Sequence, residues 1–144
     1  SRYFNVAEFG CHSGEPYPEA WQERLEALCS QLDVIRADWG GPIRIVSGYR
    51  TPEWNLRVAG AKLSQHVSGY AADAQPMVQA TSMHAYIISL NARILQLMSE
   101  GKLPLVGGLG YYPNRWLHID VRAKPPNGHV ARWDGAGVGS EQTA

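Results

Sequence analysis

The chain has 144 residues, 44% hydrophobic and 18% charged, enough for one globular domain with its own core and too few for two comfortable ones. Thirteen basic and thirteen acidic side chains cancel, so no global field recruits nucleic acid or an anionic membrane, and no apolar run approaches the roughly 18 residues needed to cross a bilayer. No signal peptide is visible, which leaves the compartment open.

Residues 1–16 read as an irregular lead-in, broken by Gly10, Gly14 and Pro16. Pro18 opens a helix to about Trp39, because Trp21, Leu25, Leu28, Leu32, Ile35 and Trp39 recur at three- and four-residue steps as one apolar stripe. Gly40-Gly41 stops it. Cys11 and Cys29, the only cysteines, fit either a disulfide in an exported protein or two buried thiols; Cys29 lies on the apolar side of the helix, which favours the thiol there. Residues 42–47 read as a strand. Thr51-Pro52 is an N-cap followed by proline at the first helical position, predicting a short helix to about Val58 that ends near Gly60. Residues 70–74 form a second strand. Thr81 or Ser82 caps a longer helix through Met83, Tyr86, Ile87, Leu90, Ile94 and Leu97, ended by Gly101. Residues 109–112 and 116–121 are strands joined at Pro113-Asn114, a hairpin signal, and 130–133 is expected as one more edge strand. The small, polar residues 135–144 read as a mobile tail. No repeat is present. The pattern is α+β, with helices packed on a small, mostly antiparallel sheet in a single domain over 1–144.

The chemistry concentrates in Ser64-Gln65-His66-Val67-Ser68-Gly69-Tyr70-Ala71-Ala72-Asp73, read with Trp116-Leu117-His118-Ile119-Asp120. His66, Asp73 and His118 form a set of two nitrogens and one carboxylate, which leaves a fourth tetrahedral position open on zinc, as catalytic sites do. On one helix His66 and Asp73 would be roughly 10 Å apart along the axis, and on a strand further still, at about 3.3 Å per residue. The chain must therefore double back between them, and Gly69 permits the bend because it takes positive φ without a Cβ clash. A capped turn with a core histidine and a solvated aspartate is the alternative reading.

Ser64-x-His66-x2-Gly69-x-Ala71-x-Asp73, the upstream Ser47-Gly48-Tyr49-Arg50 and the late His118-x-Asp120 together resemble the zinc D-Ala-D-Ala carboxypeptidase family of peptidoglycan peptidases. That family includes D-Ala-D-Ala dipeptidases and phage endolysin peptidases, and shares its metal-site fold with the hedgehog signalling domain. The resemblance runs from about Phe9 to Trp133, with the blocks in the same order. It implies His66, Asp73 and His118 as ligands of one zinc ion per chain, Arg50 as the cation facing a substrate carbonyl or carboxylate, and Ser64 as a substrate-side hydrogen-bonding group. The corresponding plain readings are a surface Arg50 capping a helix or pairing with Glu53, and a turn hydroxyl at Ser64. The implied partner is a peptidoglycan peptide, cut by a monomer at the bacterial envelope, outside the cell, or as a phage lytic protein.

The sequence also departs from the family. Many relatives place an acid three residues before the second histidine, and others a histidine two before it; these positions are Arg115 and Trp116. A proton acceptor must then come from elsewhere, and Asp120 is the first candidate, with His129 the second. Asp120 shares a strand face with His118, so it either lies beside the reacting water or orients a ligand; a salt bridge to Arg122, Arg44 or Arg50 is the plain alternative. His12 and His84 have no partner at ligand spacing. Trp54, Tyr70, Tyr111, Tyr112 and Trp116 line a groove or pack the core. The hairpin from Tyr111 and the closing Arg132-Trp133 look closer to the endopeptidase branch than to the carboxypeptidases. The rival class is a binding module that keeps zinc without catalysis, supported by the missing acid at Arg115.

Overall fold

Strand alternation decides which side chains meet. In the computed structural model, which describes residues 1–78 and 82–135, the elements run α1 Gln22–Trp39, β1 Ile43–Ser47, α2 Pro52–Arg57, β2 Ala71–Pro76, α3 Met83–Ser99, β3 Gly108–Tyr112, β4 Trp116–Asp120 and β5 Ala131–Asp134. The strands make one sheet in the order β1-β2-β4-β3-β5. Neighbours are antiparallel except β3 and β5, which are parallel. This is the expected α+β class, and among the described residues no helix is long and apolar enough to cross a membrane.

One sheet face is apolar. Ala72, Ala74, Leu109, Leu117 and Ile119 pack with Leu25, Leu28, Leu32 and Ile35 of α1 and with Ile87, Leu90, Ile94 and Leu97 of α3 in one core. The helical stripes read from the sequence supply this core, except that Tyr86 is exposed and Trp21, Trp39 and Met83 are only partly buried. Truncating a fully buried member such as Leu28 or Ile94 to alanine costs about 2–5 kcal/mol. The opposite face carries the polar residues. Ser47 lies opposite Asp73, Asp73 opposite His118, His118 opposite Gly110 and Gly110 opposite Trp133. One row therefore crosses all five strands. Between Ile45 and Ser47 the β1 register slips by one residue, a bulge that bends the chain into Gly48-Tyr49-Arg50 at the end of the row.

Several expectations change. The lead-in is part of the core: Phe4 and Phe9 are buried, and the Phe9 carbonyl accepts the Tyr49 N–H at 2.8 Å. Breakers signal where a segment bends and say nothing of whether its aromatics find a core. Cys11 and Cys29 are both free, buried thiols rather than a disulfide. Burial, with a smaller push from Asp33, raises the Cys29 thiol to about 11, and Cys11 lies 3.1 Å from Ser13 Oγ. The cap of α2 is as read, Thr51 Oγ1 accepting the Trp54 N–H at 3.1 Å. Thr81 falls outside the described residues, as does the expected mobile tail from residue 136 onward.

Candidate metal centre

His66 arrives on a tight turn. The His66 carbonyl accepts the Gly69 N–H at 3.2 Å, and the Gln65 carbonyl accepts the Tyr70 N–H at 3.0 Å. Gly69 has φ +75°, and a Cβ there would lie 2.7 Å from the Trp21 ring and 2.8 Å from Tyr17 Oη. Both the bend and the crowding therefore require glycine. Outside the turn, Tyr17 Oη donates to the Gly69 carbonyl at 2.7 Å and Arg24 Nη1 to the Ser68 carbonyl at 2.7 Å. The chain then enters β2, which presents Asp73. Both the doubling back and its pivot are as the spacing predicts.

Each histidine is held from behind. His66 Nδ1 lies 2.7 Å from the Gly48 carbonyl. A carbonyl only accepts, so Nδ1 carries a proton, which leaves Nε2 as the ring atom that can face a metal ion. His66 Nε2 faces Asp73 Oδ1 at 3.2 Å. His118 Nε2 donates to Asp120 Oδ2 at 2.8 Å, which turns His118 Nδ1 to the same Asp73 oxygen at 3.2 Å. The three residues are fully buried, and their donor atoms all lie within 4.8 Å of one another. Ligands about 2.0–2.2 Å from a tetrahedral zinc lie roughly 3.3 Å from each other, so the two 3.2 Å separations fit such an ion. Burial alone would raise the Asp73 carboxyl, but the flanking His66 and His118 outweigh it and hold it well below the usual carboxylate range.

The other expected site residues fall behind this cluster. Arg50 is buried, its side chain 7% exposed, and Nη2 lies 3.4 Å from Asp73 Oδ2. Nη1 donates to Asn55 Oδ1 at 3.2 Å, and Asn55 is tied to the Ala61 carbonyl at 2.8 Å. The guanidinium therefore braces the aspartate, a partner that neither reading of Arg50 named. Ser64 is buried, and its Oγ accepts the His66 N–H at 3.2 Å, the turn-hydroxyl arrangement.

Asp120 departs most from its expected role as proton acceptor. It shares the strand face of His118, but the imidazole ring stands between its carboxylate and the donor cluster. Oδ1 accepts from the Arg122 N–H at 3.1 Å and Nε at 2.9 Å. Oδ2 accepts from Arg122 Nη2 at 2.6 Å and His118 Nε2 at 2.8 Å. Burial pushes this carboxyl up, but Arg122 and His118 together bring it down to about 2. Four donors on a strongly acidic group leave little basicity. His129 is exposed, with its backbone N–H on Asn127 Oδ1 at 2.9 Å. Of the aromatic residues, Tyr112 is buried, while Trp116 is half-buried beside it, ring centroids 5.8 Å apart.

The salt bridge from Asp120 to Arg122 is the plain alternative that the sequence offered; sequence reasoning missed the Gly48 carbonyl, Asn55 and the place of Trp133, whose ring centroid is 5.0 Å from that of His118. One signal was available. Gly108 and Gly110 alternate on β3, facing the polar row. A Cβ at Gly108 would lie 2.3 Å from Asp120 Oδ2, and one at Gly110 2.5 Å from Trp133 Nε1. Alternating glycines on a strand mark a face over which neighbouring side chains lie flat.

A mostly antiparallel sheet whose polar face converges two histidines and an aspartate is a scaffold that could hold a metal ion. The family model for Peptidase M15 matches residues 2–120, and the chain belongs to that zinc-dependent peptidase family. The match contains all three donor residues and ends at Asp120. No curated protein matches the chain.

Proposed function

We propose that the protein is a zinc peptidase hydrolysing peptide bonds next to D-amino acids in bacterial peptidoglycan. It would either remove a terminal D-Ala from a stem peptide or cut a cross-link. The carrying observation is the convergence of His66 Nε2, Asp73 Oδ1 and His118 Nδ1 within 4.8 Å in a chain of this peptidase family. Zinc bound there supplies a Lewis acid that polarises a carbonyl and acidifies water toward about 7. The chain's own groups do the rest. The Gly48 carbonyl and Asp120 fix opposite tautomers on the two histidines, so that each offers a lone pair to the same point. Arg50 holds the second oxygen of Asp73, and its positive charge beside the cluster favours negative charge growing on a substrate oxygen. Asp120 acts as a positioning residue rather than as the base. The site of action under this reading is the bacterial envelope or its exterior, or a host wall attacked by a phage.

The position of Asp120 favours a second reading. A general base is worth about 10²–10⁴-fold, and a centre without one suits a zinc-containing module that binds cell wall or a protein. The test incubates the zinc-loaded chain with purified stem peptides and cross-linked dimers, followed by mass spectrometry. Loss of one D-Ala or conversion of dimers to monomers, abolished in Asp73→Ala, supports the peptidase and names its type. No product from any fragment, with zinc bound and the protein pelleting on intact wall, supports the module.

A further inference from the structure

Trp133 is the feature that neither the family match nor the proposed mechanism absorbs. It sits on β5, beyond the matched residues 2–120, yet it closes the row that holds Asp73 and His118. Its ring lies 5.0 Å from the His118 ring, tilted by 52°. Three contacts hold it there. Nε1 donates to Tyr112 Oη at 2.9 Å, the Arg122 guanidinium lies 5.3 Å from the ring centroid, and the missing Cβ of Gly110 gives the indole its space.

His118 needs such a neighbour. Asp120 grips the Nε2 corner of the imidazole and Asp73 Oδ1 faces Nδ1 at 3.2 Å, both at the ring's edge, so a packed neighbour adds a restraint on its tilt about the Cβ–Cγ bond. The His66 ring, 5.0 Å away and nearly perpendicular, is itself a member of the donor set. Among the described residues, Trp133 is the aromatic contact to His118 from outside that set. It is half-buried and packs against the fully buried His118 ring.

We propose that Trp133 is a positioning residue of the metal centre: its indole fixes the tilt of His118 and keeps Nδ1 directed at Asp73 and His66. The proposal rests on the reading of these three residues as the metal site. Losing an outer partner of a ligand typically costs 10–100-fold in metal affinity. Zinc affinity of the full chain is measured by chelator competition, and ligand geometry by the visible absorption of the cobalt(II) form. Trp133→Ala and Trp133→Leu should each bind zinc about 10–100-fold more weakly and shift the cobalt bands. Trp133→Phe, which keeps a ring over His118, should restore most of the affinity and the wild-type bands. Wild-type affinity and unchanged bands in a folded Ala or Leu variant overturn the proposal. So does failure of both to fold with zinc present, which makes Trp133 a fold residue only. A wild-type chain that binds zinc no better than His66→Ala instead overturns the metal-site reading itself, and the proposal with it.

Discussion

The two histidines of the centre reach the same aspartate oxygen by different means. His66 rides on a turn and is held by a backbone carbonyl, Gly48 O. His118 rides on a central strand and is held by a carboxylate, itself clamped by Arg122. A carbonyl brace is a dipole that orients a ring. A carboxylate brace orients the ring and also stabilises its cation. One half of the centre is therefore fixed by chain path and the other by side-chain charge, and the two halves should fail differently under mutation.

The largest effect is expected at the donors. His66→Ala, Asp73→Ala and His118→Ala should each lose the single zinc per chain by metal analysis after desalting, since two donors cannot hold the ion as three do; full occupancy in His118→Ala would remove that residue from the set. Next is Asp120→Asn. A base role predicts zinc retained and hydrolysis down about 10²-fold, whereas the observed brace predicts metal affinity down about 10–100-fold. Chelator competition separates them. Arg50→Lys keeps a charge but not the fork that reaches both Asp73 and Asn55. It should weaken metal binding nearer the tenfold end of that range, and unchanged binding with slower turnover would return Arg50 to a substrate clamp.

The charged brace also has a pH signature. Without metal, burial would lower the His118 pKa, but Asp120 and Asp73 outweigh it and raise it from 6.5 to about 9. A raised pKa contributes stability that is full below 6.5 and lost as pH rises through about 9. Asp120, lowered from 3.8 to about 2, contributes above 3.8 and loses its share as pH falls through about 2. Zinc must take the His118 Nδ1 lone pair, so binding near pH 7.5 should release about one proton from His118 in addition to the share lost by a metal-bound water. Calorimetry in buffers of different ionisation enthalpy reads the total, and a release no larger than the water's share would mean that His118 is neutral beforehand. The smallest effect is expected at Ser64→Ala, about 1 kcal/mol of stability for the lost bond to the His66 N–H. Thermal unfolding measures it, and a large rise in KM would instead place Ser64 against substrate.

The bend between His66 and Asp73 was legible because their spacing, with Gly69 between them, requires the chain to double back; His118 was joined to them by the family resemblance, since its register opposite Asp73 is not written in the sequence. The helices were legible from their stripes. What stayed hidden depends on partners set by register or backbone. No pattern around Gly48 announces that its carbonyl will meet an imidazole, and Asp120 could be assigned to the face of His118 but not to one side of its ring. Arg50 was read as facing a substrate on the family resemblance, with a surface position as the plain alternative; its approach to Asp73 follows a bulge in β1 that the sequence does not announce. Trp133 was read as part of an edge strand, but its pairing with β3 is parallel, and that register alone brings it opposite Gly110.

That pairing has a consequence for synthesis. The last ligand, His118, leaves the ribosome before the strand whose Trp133 packs against it, and β5 ends 14 residues after Asp120. At translation rates of about 5–20 residues per second that interval is roughly one to three seconds. During it the outer edge of β3 has no neighbour and offers unpaired backbone groups to any passing strand. Glycines at two of its five positions, Gly108 and Gly110, give a foreign strand little side-chain surface to pack against there. The glycines that later make room for Asp120 and Trp133 thus leave a wrong partner little to pack on before β5 arrives.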